Sequence, residues 1–206
     1  MPHAPDHRLP TDTDDGMLLI ISGPSGVGKT TITRGVERTI PDAVFSVSAT
    51  TRAKTEADVE GVDYHFVSDE EFERMRRGGE FLESAGVYGK KYGTPRAWVL
   101  EQLKRGRLVI LEIDVEGAKQ VKAGIPGAFA MFILPPSEED VLARLRARKR
   151  ESEEQIQQRF GHAKREIEAA RACGVYDTFI INDERQRAID EAVARVNEAR
   201  QARRCV

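Results

Sequence analysis

The stretch "GPSGVGKT" at residues 23–30 fits G-x-x-x-x-G-K-[ST] at every position, and its surroundings narrow the folds open to this chain more than any other feature. Directly before it runs "MLLIIS", a continuous apolar segment that reads as a buried strand; directly after it, residues 28–39 read as a helix. A glycine-rich turn between strand and helix aims successive backbone N–H groups at one anion, backed by the partial positive charge of the helix N-terminus. Gly23, Gly26 and Gly28 let the backbone bend, and Pro24, Ser25 and Val27 complete the loop. Lys29 is placed to reach the β- and γ-phosphates, the Thr30 hydroxyl to ligate Mg²⁺, and Thr31 follows at the helix start. The expectation is a P-loop NTPase fold that binds a nucleoside triphosphate.

The rest of the chain keeps the same alternation. "AVFSVSA" at 43–49 reads as a second strand and "DYHFV" at 63–67 as a short one. Ser68 and Glu71 have capping-box spacing for a helix over 69–77. Residues 80–88 alternate like a strand, Pro95 suits the start of a helix over 95–105, and "RLVILEID" at 107–114 and "AMFILP" at 130–135 read as buried strands. Helical spacing follows at 138–149 and 153–172, with Ser137 and Ser152 as N-caps, then a strand at 176–182 and a helix at 184–204. Strand and helix in repetition predict an α/β fold, a parallel sheet covered by helices on both faces. Residues 46–94 break the rhythm with short, strand-rich elements and are expected to form an inserted lobe. That leaves a core of 17–45 and 95–206, and a tail over 1–16 with three prolines, four aspartates and almost nothing to bury.

Composition excludes several partners. With a net charge of -2 the chain has no global basic field for nucleic acid, and its longest apolar run falls far below the roughly 20 residues a membrane helix needs. Cys173 and Cys205 stand far apart with no CxxC, as expected of reduced thiols in a cytoplasmic protein. A homo-oligomer is left open.

Three classes of NTP-binding protein fit the loop: a GTPase, an ATPase motor and a small-molecule kinase. No N/TKxD guanine-reading motif is present, which argues against the first. "LEID" at 111–114 sets Glu112 and Asp114 at a strand end, suited to a magnesium-bound water or a polar edge of substrate; Asp114 is equally well placed to cap the next helix.

Taken together, "ISGPSGVGKTT", "SVSATTR", "GVDYHFVS", "EFLESA", "YGKKYGTP", "LEIDVEGA" and "FIIND" resemble the guanylate kinases, from Met17 to about Arg200. The resemblance implies a core, a GMP-binding lobe over about 46–94 and a helical lid over about 144–160, closing over two nucleotides. It implies transfer of the γ-phosphate of ATP to GMP, with dGMP as a further acceptor and Mg²⁺ accompanying ATP. Arg52, Tyr64 and Tyr92 match residues that hold the GMP phosphate; Ser48, Glu83 and Thr94 match those that read guanine, with Asp114 assisting. Glu112 is expected to join Thr30 at the metal, and Asn182 matches a position near adenine. Arg148 and Arg159, in the basic run "RLRARKRESEEQIQQRF", match lid arginines that with Lys29 and Arg52 carry the transfer.

One stretch departs from the pattern. Where the family has a Pro-Arg pair and then Gly-Glu, this chain reads "AKTEAD", so the second phosphate-binding arginine falls on Thr55 and the Gly-Glu on Ala57 and Asp58. Thr55 offers one neutral hydrogen bond in place of a charged fork. The departure predicts looser GMP binding, and it keeps two alternatives open. One is a kinase of another phosphorylated acceptor such as ribose 1,5-bisphosphate; the other is a non-catalytic module that binds phosphopeptides, against which the intact phosphate loop argues.

Overall fold

The computed structural model describes residues 16–87, 89–147 and 152–204. Five parallel strands form the main sheet in the order β2-β7-β1-β8-β9: β1 (Met17–Ser22), β2 (Ala43–Phe45), β7 (Leu108–Glu112), β8 (Phe129–Leu134) and β9 (Thr178–Ile181). The apolar runs are continuous because both sheet faces are covered. Met17, Leu19 and Ile21 of β1 pack on one side with Ile32 and Val36 of helix α1 (Lys29–Thr39) and Ile189, Ala192 and Val196 of α7 (Arg185–Arg204). Leu18 and Ile20 pack on the other with Val99 of α3 (Arg96–Lys104) and Ala118 and Val121 of α4 (Val115–Gly124). The expected parallel sheet with helices on both faces is what forms.

A second sheet, in the order β4-β3-β6-β5, is built from β3 (Ala49–Thr50), β4 (His65–Phe66), β5 (Phe81–Val87) and β6 (Lys90–Pro95), with α2 (Asp69–Arg77) packed on it through Phe72 and Phe81. Here the expected strand over 43–49 divides. Ala43–Phe45 pair in parallel with β7, whereas Ala49 and Thr50 pair with β4 and, antiparallel, with Tyr92 and Gly93 of β6. The alternation of side chains is continuous across the stretch, but the backbone partners change, so Ser46–Ser48 cross from one sheet to the other.

The sequence reading assigns no element to the stretch of β6, and for α4 it offers a cap, Asp114, without bounds. β6 is "KKYGTP", with little to bury, and it exists because β5 pairs with it from Phe81↔Pro95 to Val87↔Lys90. α4 carries glycines at 117 and 124, which weaken its propensity, yet Asp114 caps it by accepting from the Gly117 N–H at 2.8 Å. The remaining helices are α5 (Glu138–Ala147) and α6 (Glu153–Ala172). Ser152 completes a full capping box with Gln155, and Ser137 accepts from the Asp140 N–H at 3.1 Å. The box expected at Ser68 is only half made: its hydroxyl accepts from the Glu71 N–H, while the Glu71 carboxylate turns to Arg74 at 2.8 Å.

Candidate active site

The end of β1 carries the chain into the phosphate loop. Gly26 and Gly28 take φ of 85° and 95°, a left-handed conformation that a side chain would strain, and Gly28 is the N-cap of α1. Thr31 and Ile32 donate their N–H groups to the Gly28 carbonyl. The Lys29 ammonium lies folded back over the loop, donating to the carbonyls of Gly23 at 2.6 Å and Pro24 at 3.1 Å. Val27 is anchored in the core, and its carbonyl is held from outside by the Asn182 amide at 2.7 Å and by Arg144 at 3.1 Å. Arg144 also donates to the Asn182 carbonyl at 2.7 Å, so one guanidinium ties the loop to the end of β9. Arg159 of α6 donates to the Ser25 hydroxyl.

From this loop a cleft of about 350 Å³ runs to the second sheet. Gly23, Ser25, Lys29 and Arg159 line its phosphate-loop end, and Ser48, Tyr64, Glu83 and Tyr92 its far end, with Glu112 and Asp114 between. The two tyrosine rings meet edge to face with centroids 5.6 Å apart. Glu83, on β5, is 5 % exposed and accepts a hydrogen bond from the buried Thr94 hydroxyl at 2.6 Å. Burial, with the charge of Asp114 added, pushes its carboxyl up from 4.5 to about 7. Asp114 is raised as well, chiefly by burial and against the Gly117 N–H. The capping role and the cleft-lining role of Asp114 are thus both real: one oxygen holds the helix start, and the carboxylate still faces the cleft. At the middle of the cleft the Thr30 hydroxyl donates to Glu112 Oε1 at 2.9 Å, which brings both expected metal ligands together.

Arg52 stands otherwise. It is not among the cleft-lining residues; its guanidinium forks onto the Asp58 carboxylate at 2.8 and 2.9 Å, over the rings of Tyr64 and Phe66. The same carboxylate takes the N–H and the hydroxyl of Thr55, each at 2.7 Å. These bonds hold Asp58 well below the usual carboxylate range. The Thr55 hydroxyl is therefore already donated to Asp58 instead of being offered to an acceptor, and the departing loop closes on itself around Arg52. Arg148 lies outside the described residues.

Several contributors escape the sequence reading. Arg144 is one of six basic residues in its run, and only its contacts single it out. Glu166 lines the cleft and is pushed up by burial; it sits seven residues after Arg159 on α6, so two-turn spacing is the signal that finds it. Asp58 reveals itself only through the turn that folds it back on Arg52.

The guanylate kinase family profile matches residues 15–203. A guanylate kinase of Trichormus variabilis is 46 % identical over 174 residues, covering 84 % of this chain and 86 % of that protein. One from Anaeromyxobacter dehalogenans is 44 % identical over 198 residues, covering 96 % and 84 %. The crystal structure of guanylate kinase from Anaplasma phagocytophilum superposes with a TM-score of 0.69 at 32 % identity, covering 94 % of this chain and 88 % of that one. A phosphate loop and a buried carboxylate facing each other across one cleft, in a chain matched over nearly its whole length, lead to one assignment: the chain is an enzyme and belongs to the guanylate kinase family.

Proposed function

We propose that the cleft between the phosphate loop and Glu83 is where this chain, a guanylate kinase, transfers the γ-phosphoryl group of ATP to GMP. The observation that carries the reading is Glu83, a buried carboxylate on the same cleft as Lys29. Ionised, it accepts hydrogen bonds from both guanine N1–H and the 2-amino group, a pair that adenine does not present. The wrong base would leave this buried acceptor unpaired, which is why such a site discriminates strongly. Ser48, Thr94 and Asp114 complete the guanine end, with Thr94 holding Glu83 in place; Tyr64 and Tyr92, which line the same cleft, hold the acceptor phosphate.

At the other end the loop N–H groups, Lys29 and Arg159 receive the triphosphate. The transition state is loose, with charge spread over equatorial oxygens, so positioning and neutralisation are the whole task, and the acceptor phosphate oxygen needs no base to ionise it. The hard oxygen donors of Thr30 and Glu112 fit Mg²⁺, which tolerates a site made mostly of water and phosphate oxygens. When bound it neutralises charge on the β- and γ-phosphates. The second sheet serves as the acceptor lobe, and the segment about 144–160, which includes Arg148, as the lid. No helix among the described residues is long and apolar enough to cross a membrane.

The test is a coupled assay for ADP release with GMP, dGMP, IMP, AMP and ribose 1,5-bisphosphate offered in turn. GMP is expected to give the highest kcat/KM, with dGMP following. Turnover confined to the sugar phosphate would end the reading, and no turnover with any acceptor would point to a binding module.

Because Asp58 occupies the Arg52 fork and Thr55 brings no charge, the acceptor phosphate meets one engaged arginine. Replacing Thr55 by arginine adds a second guanidinium beside Asp58 and a charge-assisted contact worth about 1.5–3 kcal/mol. The KM for GMP should fall roughly ten- to a hundredfold while the KM for ATP stays put. An unchanged KM for GMP would mean that Lys54 or another group already supplies the charge.

A further inference from the structure

The guanine end of the cleft has a back wall to whose residues the sequence reading gives no role. Glu83 belongs to the outer strand of the second sheet, and α4 packs against that strand. Gly117, in the first turn of α4, leaves the space in which the Glu83 carboxylate lies. A β-carbon at residue 117 would fall 2.6 Å from Glu83 Oε2 and 3.1 Å from its carboxyl carbon. Nonbonded carbon and oxygen atoms do not approach so closely, so the carboxylate, the movable partner, would have to shift. The glycine is needed for room alone, because residue 117 sits in an ordinary helical turn and is not among the positive-φ glycines.

One turn on, the Gln120 amide grips the backbone next to Glu83. Its Oε1 accepts from the Ser84 N–H at 3.1 Å and its Nε2 donates to the Ser84 carbonyl at 3.0 Å. β5 has β6 on one side only, so this side chain takes the hydrogen-bonding place of a further strand. The strand is clipped to α4 at residue 84, the carboxylate at residue 83 rests against Gly117, and Asp114 caps the same helix from within the cleft.

We propose that Gly117 and Gln120 are positioning residues for acceptor specificity: the first two turns of α4 fix where the Glu83 carboxylate stands and so set how strictly guanine is read. The proposal rests on the reading of Glu83 given above, and it adds that this carboxylate is placed from the core side of the cleft. Two hydrogen bonds to one base edge demand both oxygens in register. A shift of well under an ångström moves Oε2, the oxygen beside Gly117, while Thr94 still holds Oε1, so the matched pair is lost and a base with a single donor can still use the oxygen that stays.

GMP and IMP separate these cases, since IMP presents N1–H without the 2-amino group. In Gly117→Ala, kcat/KM for GMP should fall about ten- to a hundredfold, the loss of one charge-assisted hydrogen bond, and that for IMP much less. The GMP/IMP ratio then collapses by about tenfold or more. The melting temperature should hold, because alanine is the better helix former, and so should the KM for ATP. Gln120→Ala should move the ratio in the same direction by a smaller factor, and it decides the matter if the alanine at 117 compromises folding. A wild-type ratio in a folded Gly117→Ala, or in Gln120→Ala where Gly117→Ala does not fold, overturns the proposal. Glu83→Gln, run alongside, tells the two ideas apart. If that variant loses discrimination while the α4 variants keep it, only the positioning role fails; if it keeps the wild-type ratio, the reading of Glu83 fails and the positioning role with it.

Discussion

Replacing Lys29 by methionine is expected to lower kcat for GMP phosphorylation by about 10²–10³-fold while the protein stays folded. The Lys29 ammonium donates to the carbonyls of Gly23 and Pro24 within the loop, and methionine keeps most of its stem volume. What disappears is the positive charge that the loop's own sequence supplies. Carbonyl oxygens hold the ammonium over the loop in a place from which phosphate oxygens, carrying full charge, draw it more strongly. The loop N–H groups survive the substitution, so ATP still binds, and the loss falls on the step in which charge develops on the transferring group. Circular dichroism and a melting curve verify the fold, and initial rates at saturating ATP and GMP give kcat. Retention of more than a tenth of the wild-type kcat would remove Lys29 from the transfer step and leave it a binding residue.

The contrast between Lys29 and Arg52 shows what a sequence carries and what it does not. The phosphate loop is legible because its function is local: eight consecutive residues between an apolar strand and a helix dictate their own backbone. The three central strands, β1, β7 and β8, are legible for a similar reason, since double-sided burial writes itself as an unbroken apolar run. Arg52 is legible only as a residue type in a familiar place. That it forks onto Asp58, with Thr55 bonded to the same carboxylate, depends on a turn that six residues, four of them polar, could close in many ways. The division of 43–49 between two sheets likewise follows from partners more than forty residues away, and β6 exists only because β5 pairs with it. Gly117 is the extreme case. In the sequence it weakens a helix, and only the position of Glu83 across the cleft gives it a purpose.

Glu83→Gln should produce two effects of opposite sign, and together they test the site most severely. Catalytically, the amide keeps one acceptor oxygen but presents a donor where guanine also presents one, so one of the two hydrogen bonds to the carboxylate is lost. At about 1.5–3 kcal/mol for that contact, kcat/KM for GMP should fall at least roughly ten- to a hundredfold. The pH profile should change with it. In the acceptor-free enzyme Glu83 titrates at about 7, so wild-type kcat/KM for GMP should drop as pH falls below 7, approaching tenfold per unit, and level off above it. The variant has no proton to take up there, so its profile should keep only the limb set by the acceptor phosphate, whose second pKa is about 6. Stability moves the other way. A carboxyl raised from 4.5 to about 7 binds its proton more tightly in the folded protein than in the unfolded one. Its stabilising contribution is fully present below pH 4.5 and is lost as pH rises through 7, a swing of about 3 kcal/mol. The neutral amide escapes that loss, so without nucleotide Glu83→Gln should melt higher than wild type at pH 8, with the gap narrowing towards pH 5. A wild type whose melting temperature does not decline between pH 5 and 8 relative to the variant would mean that the carboxylate is solvated, and a solvated carboxylate could not enforce the choice of base.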